Sequence, residues 1–141
     1  MSVLLFHVPG VPVPQGSKRH VGNGVMIEAN QALKPWRQEV IAAGIDAAVK
    51  ANWVCAGKAT YAVKIVFTFK RPKSHHRVTG QLMPSAPEHP GVRPDLDKLI
   101  RAVFDALTQA AVVWDDSQIV RLIAMKTYGA PGLSVALERL T

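Results

Sequence analysis

The chain has 141 residues, 48% hydrophobic and 19% charged, and its 17 basic against 10 acidic side chains leave a net charge of +7. That size and apolar content fit one compact domain over residues 1–141 and argue against subdivision. The single cysteine, Cys55, excludes an internal disulfide or a cysteine-based zinc site, and the positive balance points to a polyanion such as nucleic acid, ahead of an acidic membrane surface.

The start, MSVLLFHVPG, has neither a basic leader nor an apolar run of signal-peptide length, and no stretch approaches a membrane span. A cytoplasmic protein with no membrane partner is expected. Val3 to Val8 reads as a first strand, closed by PGVPVPQGSKRH, whose three prolines and two glycines forbid a continuing ladder or helix. VGNGVMIE then reads as a small hairpin around Asn23-Gly24, a favoured tight-turn pair. Pro35 suits a first helical turn, and Val40, Ile41, Ile45, Ala48 and Val49 follow Trp36 at helical spacing, predicting a helix from Lys34 to Ala51.

Residues 60–69 alternate, with Tyr61, Val63, Ile65, Phe67 and Phe69 on one side, and predict a core strand. Lys70 to Pro94 holds five prolines and three histidines without periodicity, so a long functional loop, mobile without a ligand, is expected. Leu96, Leu99, Ile100, Val103, Phe104 and Leu107 mark an amphipathic helix. QIVRLIAMKTY and LSVALERL follow as two strands joined across GAPG.

Negative charge is scarce and gathered in one place. From Asp95 to Asp116, five carboxylates against Lys98 and Arg101 leave −3, while the remaining 15 basic and 5 acidic residues leave +10. Pro94 biases Arg93 toward extended backbone, so Asp95 is expected at a helix N-cap with Asp97 in the first turn. Acids there favour the helix dipole by about 0.3 to 1 kcal/mol each with no function needed, and Asp115 and Asp116 fit an ordinary turn. A helix of about 14 residues is about 21 Å long, so the two acidic ends meet only if Ala110 to Trp114 turns the chain sharply back. Spacing leaves that open.

PDLDKLIRAVFDALTQAAVVWDDSQIV closely resembles the signature of the RusA-type Holliday-junction resolvases, small endonucleases of bacteria and their phages. The pattern is Asp-x-Asp, a basic residue four positions after the second Asp, then DAL, and after a short gap Asp-Asp-x-Gln followed by Val or Ile. It spans Asp95 to Val120, with weaker likeness elsewhere in chain length, basic loops and strand order. The resemblance implies an α/β domain of the α+β type, a small mixed sheet packed with two main helices. It implies that Asp95, Asp97 and Asp116 gather around a divalent cation with Asp115 beside them. It further implies a homodimer that cuts four-way branched DNA by paired symmetric nicks. Oxygen ligands suit Mg²⁺ or Mn²⁺, no small-molecule cofactor is called for, and in-line hydrolysis leaving a 5′-phosphate and a 3′-hydroxyl is expected.

The family's lysine falls on Arg101, which can stabilise charge on phosphorus but stays protonated and cannot act as a base. Around a helix Arg101 lies about 40° from Asp97, against about 100° for Lys98, so Arg101 takes the electrostatic role and Lys98 stands in reserve. The plain alternative is a surface pair of Asp97 with Arg101, worth about 0.3 to 0.5 kcal/mol. Asp105, two turns along, is expected to make a polar contact rather than bind metal.

Lys18, Arg19, Lys70, Arg71, Lys73, Arg77 and Arg93 flank the acids in sequence and are the expected DNA contacts, with strongly salt-dependent binding. His75-His76 lacks the geometry of a metal pair, and Trp36 and Trp114 are expected in the core or at a dimer interface. The competing reading is a non-catalytic DNA-binding protein of phage recombination, whose acids only cap the helix.

Overall fold

Tyr61, Val63, Ile65 and Phe67 alternate along one strand and each is at most 2% exposed, so the most regular period-two stretch of the sequence is the middle of the core. The computed structural model describes residues 2–16, 18–20, 26–28 and 31–141, with the backbone alone for 18–20 and 26–28. In chain order the elements are β1 (Val3–Pro9), β2 (Lys18–His20), β3 (Met26–Glu28), α1 (Leu33–Lys50), β4 (Tyr61–Phe69), α2 (Leu96–Gln109), β5 (Ile119–Tyr128) and β6 (Gly132–Arg139).

The main sheet runs β1-β6-β4-β5, with β1 and β4 antiparallel to β6 and β5 parallel to β4. It is a mixed sheet with two helices, an α+β fold in one small domain. Parallel neighbours need a long crossover, which the Lys70–Pro94 segment and α2 supply between β4 and β5. Strands β5 and β6, consecutive across GAPG, are not partners, because β4 lies between them. Register carries three rows across the inner face. Leu4, Leu137, Val63 and Leu122 form the first; Phe6, Val135, Ile65 and Ala124 the second; Val8, Leu133, Phe67 and, at the edge, Lys126 the third. Strands β2 and β3 pair antiparallel, as hairpin arms should, while the Asn23-Gly24 turn itself lies outside the described residues.

On α2 the buried residues are Leu99, Ala102, Val103, Ala106 and Leu107, a single helical stripe. On α1 they are Leu33, Trp36, Val40 and Gly44. Ile45 and Val49, which share the helical spacing, instead face out at 46% and 71% exposure. The reason is packing: α1 meets α2 and β1 along a narrow line, where Gly44 admits Ala110 and Phe6.

Both helices stop in the same way. Asn52 and Ala111 take positive φ of 53° and 58°. The amide of Trp53 then reaches Ala48 O at 2.8 Å, and that of Val112 reaches Leu107 O at 3.1 Å, the backbone pattern of a Schellman ending. The Trp53 indole N–H locks the two exits together by donating to Val112 O at 2.9 Å.

The Lys70–Pro94 segment is more than the bare mobile loop that its missing periodicity suggests. It contains a 3₁₀ turn at Lys73–His75 and an isolated bridge between His76 and Leu82. The Arg71 guanidinium stacks on Tyr128 at 4.3 Å and donates to Pro87 O at 2.7 Å, while His75 meets the same ring edge-on. Local hydrogen bonds and one aromatic anchor hold it, and neither leaves a periodic trace. Among the described residues no helix is long and apolar enough to cross a membrane.

Candidate active site

Asp95 occupies the N-cap of α2 with extended backbone (φ −70°, ψ 138°) and Asp97 the first turn, as the sequence predicts. The Asp95 carboxylate caps no amide; the Lys98 ammonium lies 3.8 Å from it. Asp97 makes no ion pair or hydrogen bond among the described residues, so the surface pair with Arg101 does not form. Arg101 instead lies against Gly16, where an added Cβ would stand 3.0 Å from its Nη1 and 3.3 Å from Lys98 Cγ.

The chain before β2 is therefore laid over the start of α2, and Gln15 fastens it there. Its amide donates to Lys98 O at 2.9 Å. Its side-chain oxygen accepts from Arg37 at 2.9 Å while its Nε2 donates to Asp105, joining α1 to α2. Asp105 thus makes the polar contact expected of it.

At the other end of α2, Asp115 caps a 3₁₀ turn, Asp116–Gln118. Its Oδ2 accepts from the Ser117 amide at 2.9 Å, and Gln118 Oε1 accepts in return from the amides of Asp115 at 3.2 Å and Trp114 at 2.7 Å. This is a reciprocal capping box. Gln118 is only 8% exposed, and its amide nitrogen donates to Ala56 O at 2.7 Å and Ala59 O at 3.1 Å. All four hydrogen-bonding positions of that side chain are used. The Ser117 side chain, and after it the Ser117 amide, hold the Asp115 carboxyl below the ordinary aspartate range. Asp116 Oδ1 accepts from the Thr108 hydroxyl at 2.8 Å.

That last contact corrects the expected convergence. Thr108 is in the last turn of α2 and Asp97 in the first, so at 1.5 Å per residue they stand about 16 Å apart along the axis. The chain does turn sharply after Ala110, but it delivers Asp116 to the near end of the helix and not back to Asp95. Among the described residues no three His, Cys, Asp or Glu side chains assemble for a metal. One chain presents two acidic pairs at opposite ends of α2. Of these, Asp95 with Asp97 fits a hard cation better, since both are exposed and neither is committed to a cap, whereas Asp115 is. Mg²⁺ binds through one or two carboxylates and completes its shell with waters and phosphate oxygens.

Residues 9–138 match the family described as endodeoxyribonuclease RusA. The chain belongs to the RusA endodeoxyribonuclease family. A search of curated proteins found no match. RusA membership implies an endonuclease that resolves Holliday junctions, hence a branched-DNA substrate.

The RusA match runs from Pro9 to Glu138 and so takes in residues that motif reading passed over. Lys126 donates to Val92 O at 2.7 Å and Pro94 O at 2.9 Å, pinning the backbone just before Asp95. Its signal is phase, because a lysine alternating with Leu122 and Ala124 on an inner face needs partners. Gln118 carried the D-x-x-Q signature of a capping box, whereas Thr108 and Gln15 carried none. Of the expected DNA contacts, Lys70, Lys73, Arg77 and Arg93 are exposed. Arg71 is half-buried and engaged with Tyr128 and Pro87, and Lys18 and Arg19 lie on β2, whose side chains are outside the described structure. Trp36 is in the core, as expected, while Trp114 is 63% exposed and rests on Gly57.

Proposed function

We propose that this RusA-family chain is a Mg²⁺- or Mn²⁺-dependent endonuclease that works as a homodimer and resolves four-way junctions by paired nicks. The observation that carries the reading is the uncapped carboxylate pair, Asp95 and Asp97, set at the start of α2 among Arg93, Lys98 and Arg101. Acids alone repel DNA, so a site of this kind makes sense only where cations hold the strand. A divalent ion on Asp95 and Asp97 would supply the charge that polarises the scissile phosphate and the water that attacks it. Arg101 stays protonated and stabilises the charge gathering on phosphorus, with Lys98 beside Asp95 as the second cation. In-line hydrolysis then leaves a 5′-phosphate and a 3′-hydroxyl.

A dimer accounts for Asp116. Strand β5 is an edge among the described residues, and its Val120, Leu122, Ile123 and Met125 are exposed, apolar area that an unpartnered edge rarely leaves bare. It begins beside Asp116 and ends near Lys126, which touches Pro94. A two-fold axis relating antiparallel β5 strands sets the start of each against the end of the other. The partner subunit's Asp116 then approaches Asp95 and Asp97, once for each strand to be cut.

The test is a labelled four-way junction incubated with the protein, with and without Mg²⁺. Paired nicks that require the cation, and an Asp97→Asn variant that binds the junction without cutting it, are expected. Cutting without any divalent ion, or at the wild-type rate by Asp97→Asn, overturns the proposal.

A further inference from the structure

Arg101 stands four residues after Asp97 and four before Asp105, on the face of α2 that carries all three. Side chains so spaced are neighbours, and a guanidinium between two carboxylates is ordinarily drawn into an ion pair with one of them. Arg101 pairs with neither. Among the described residues the ion pairs are Lys50 with Asp46 and Lys98 with Asp95, and the Arg101 side chain is exposed. Asp105 is already engaged: Gln15 Nε2 donates to its Oδ2, while Gln15 Oε1 accepts from Arg37 Nη1 at 2.9 Å. The two ends of that amide cannot trade places, since a guanidinium only donates and a carboxylate only accepts. Backbone contacts hold the amide in position. The Gln15 N–H donates to Lys98 O at 2.9 Å, and Gly16, at φ 154°, lies so close to Arg101 that an added Cβ would stand 3.0 Å from Nη1. Gln15, Arg37 and Asp105 are each half-buried, so water competes only partly for their bonds.

We propose that Gln15 is a positioning residue for the cleavage step: by occupying Asp105 it keeps Arg101 from its partner one turn along α2 and leaves the guanidinium free for the phosphate held at Asp95 and Asp97. The direction of the rival pull gives this its weight. Asp105 lies about 6 Å further along the helix axis than Arg101, away from the acidic pair at the N-terminus. Capture by Asp105 would draw the positive charge off the reacting phosphorus and offset it with a carboxylate. A neutral amide is the side chain suited to prevent this, because it satisfies the carboxylate without adding a second cation that would compete with Arg101 for the phosphate. Arg37 keeps the amide turned the right way. This inference deepens the reading of the chain as a junction endonuclease and rests on it.

Single-turnover cleavage of a four-way junction in Mg²⁺, at saturating protein, tests it. Gln15→Glu keeps the side-chain length and the contact with Arg37 but has no N–H for Asp105. It should slow cleavage about threefold at saturation, the share of time an i,i+4 pair on a helix holds its partners, and not merely raise the protein concentration needed to saturate. Asp105→Asn alone, whose side-chain oxygen still accepts from Gln15, should cleave at the wild-type rate. The double variant Q15E/D105N re-forms the bond with donor and acceptor exchanged, and it should return to the wild-type rate. NMR of the arginine side chains reads the same switch without DNA: the Arg101 N–H signals, broadened by water exchange in the wild type, should sharpen in Gln15→Glu and broaden again in Q15E/D105N. A fold that had merely lost a tether would slow cleavage without pairing Arg101. Wild-type turnover in Gln15→Glu, a double variant that stays slow, or Arg101 signals unmoved by Gln15→Glu overturns the positioning role and leaves the nuclease intact. No cleavage of any junction by the wild-type protein removes the underlying reading, and the role of Gln15 with it.

Discussion

The Thr108 hydroxyl and Asp116 Oδ1 lie 2.8 Å apart, and this one bond places Asp116 a helix length from Asp97. A site that uses both acids must draw them from two chains. Asp97→Asn and Asp116→Asn should each abolish cleavage when pure. Mixed and allowed to exchange subunits, they should recover roughly a quarter of wild-type nicking, because half the dimers are mixed and each mixed dimer keeps one intact site. The recovered product should be single nicks, not paired ones. If the mixture stays dead although exchange is demonstrated, Asp116 acts within its own chain.

Gln118 holds the Asp115–Asp116 turn to the stretch between α1 and β4 through four hydrogen bonds made while buried. Gln118→Leu keeps much of the volume and strands the Ala59 carbonyl with the amides of Trp114 and Asp115, while Ala56 O keeps only the Ala59 amide. Urea unfolding should show a loss of about 2 to 3 kcal/mol, the scale for leaving such groups unpaired. Cleavage should fall further than junction binding, because the Asp116 turn loses its anchor. A loss under about 0.5 kcal/mol, the range of an ordinary surface change, would contradict the anchoring role.

Ser117 holds the Asp115 carboxyl below the ordinary aspartate range. A carboxyl whose folded pKa lies below its unfolded one contributes stability that is present above the unfolded value and is lost as pH falls through the folded value. Asp115→Asn should therefore lower stability at neutral pH and flatten the acid side of the profile in that window, with little change below the folded value. Ser117→Ala should raise the Asp115 titration seen by carboxyl NMR. An Asp115 that titrates at the ordinary aspartate value in the wild type would refute the cap.

What could be read before folding was whatever repeats locally. Tyr61 to Phe67 at period two and Leu99 to Leu107 on a helical stripe each bury one regular face, so spacing found them. Asp95 at the N-cap followed from its place after Pro94. Relations between distant segments left no such trace. No local spacing encodes that β4 separates β5 from β6, that Lys126 reaches Pro94, or that Gln15 joins Arg37 to Asp105. Spacing treats the meeting of the aspartates as an event within one chain, although the length of α2 opposes it. The Thr108 contact sides with the helix.

Lys126 is the link between β5 and the acidic end of α2. Its ammonium holds Val92 O and Pro94 O, and charged hydrogen bonds of this kind contribute about 1.5 to 3 kcal/mol when well shielded. Partial exposure lowers that figure, so Lys126→Met should cost about 1 to 2 kcal/mol. Releasing the backbone before Asp95 should also slow single-turnover cleavage at saturating enzyme. Wild-type turnover in Lys126→Met would mean that Asp95 is positioned without it.

Ala111 offers the opposite test, a stabilising one. Its φ of 58° puts a Cβ in the left-handed region, a conformation costing a non-glycine residue about 1 to 2 kcal/mol, and the side chain is exposed, so it packs little. Glycine removes that strain and loses about 0.5 to 1 kcal/mol through the freedom it adds to the unfolded chain. Ala111→Gly should therefore gain about 0.5 to 1 kcal/mol and raise Tm by about 2 to 4 °C, with cleavage unchanged. A lower Tm would show that the methyl group is doing packing work at the end of α2, and that the turn delivering Asp116 to Thr108 is held by more than its backbone bonds.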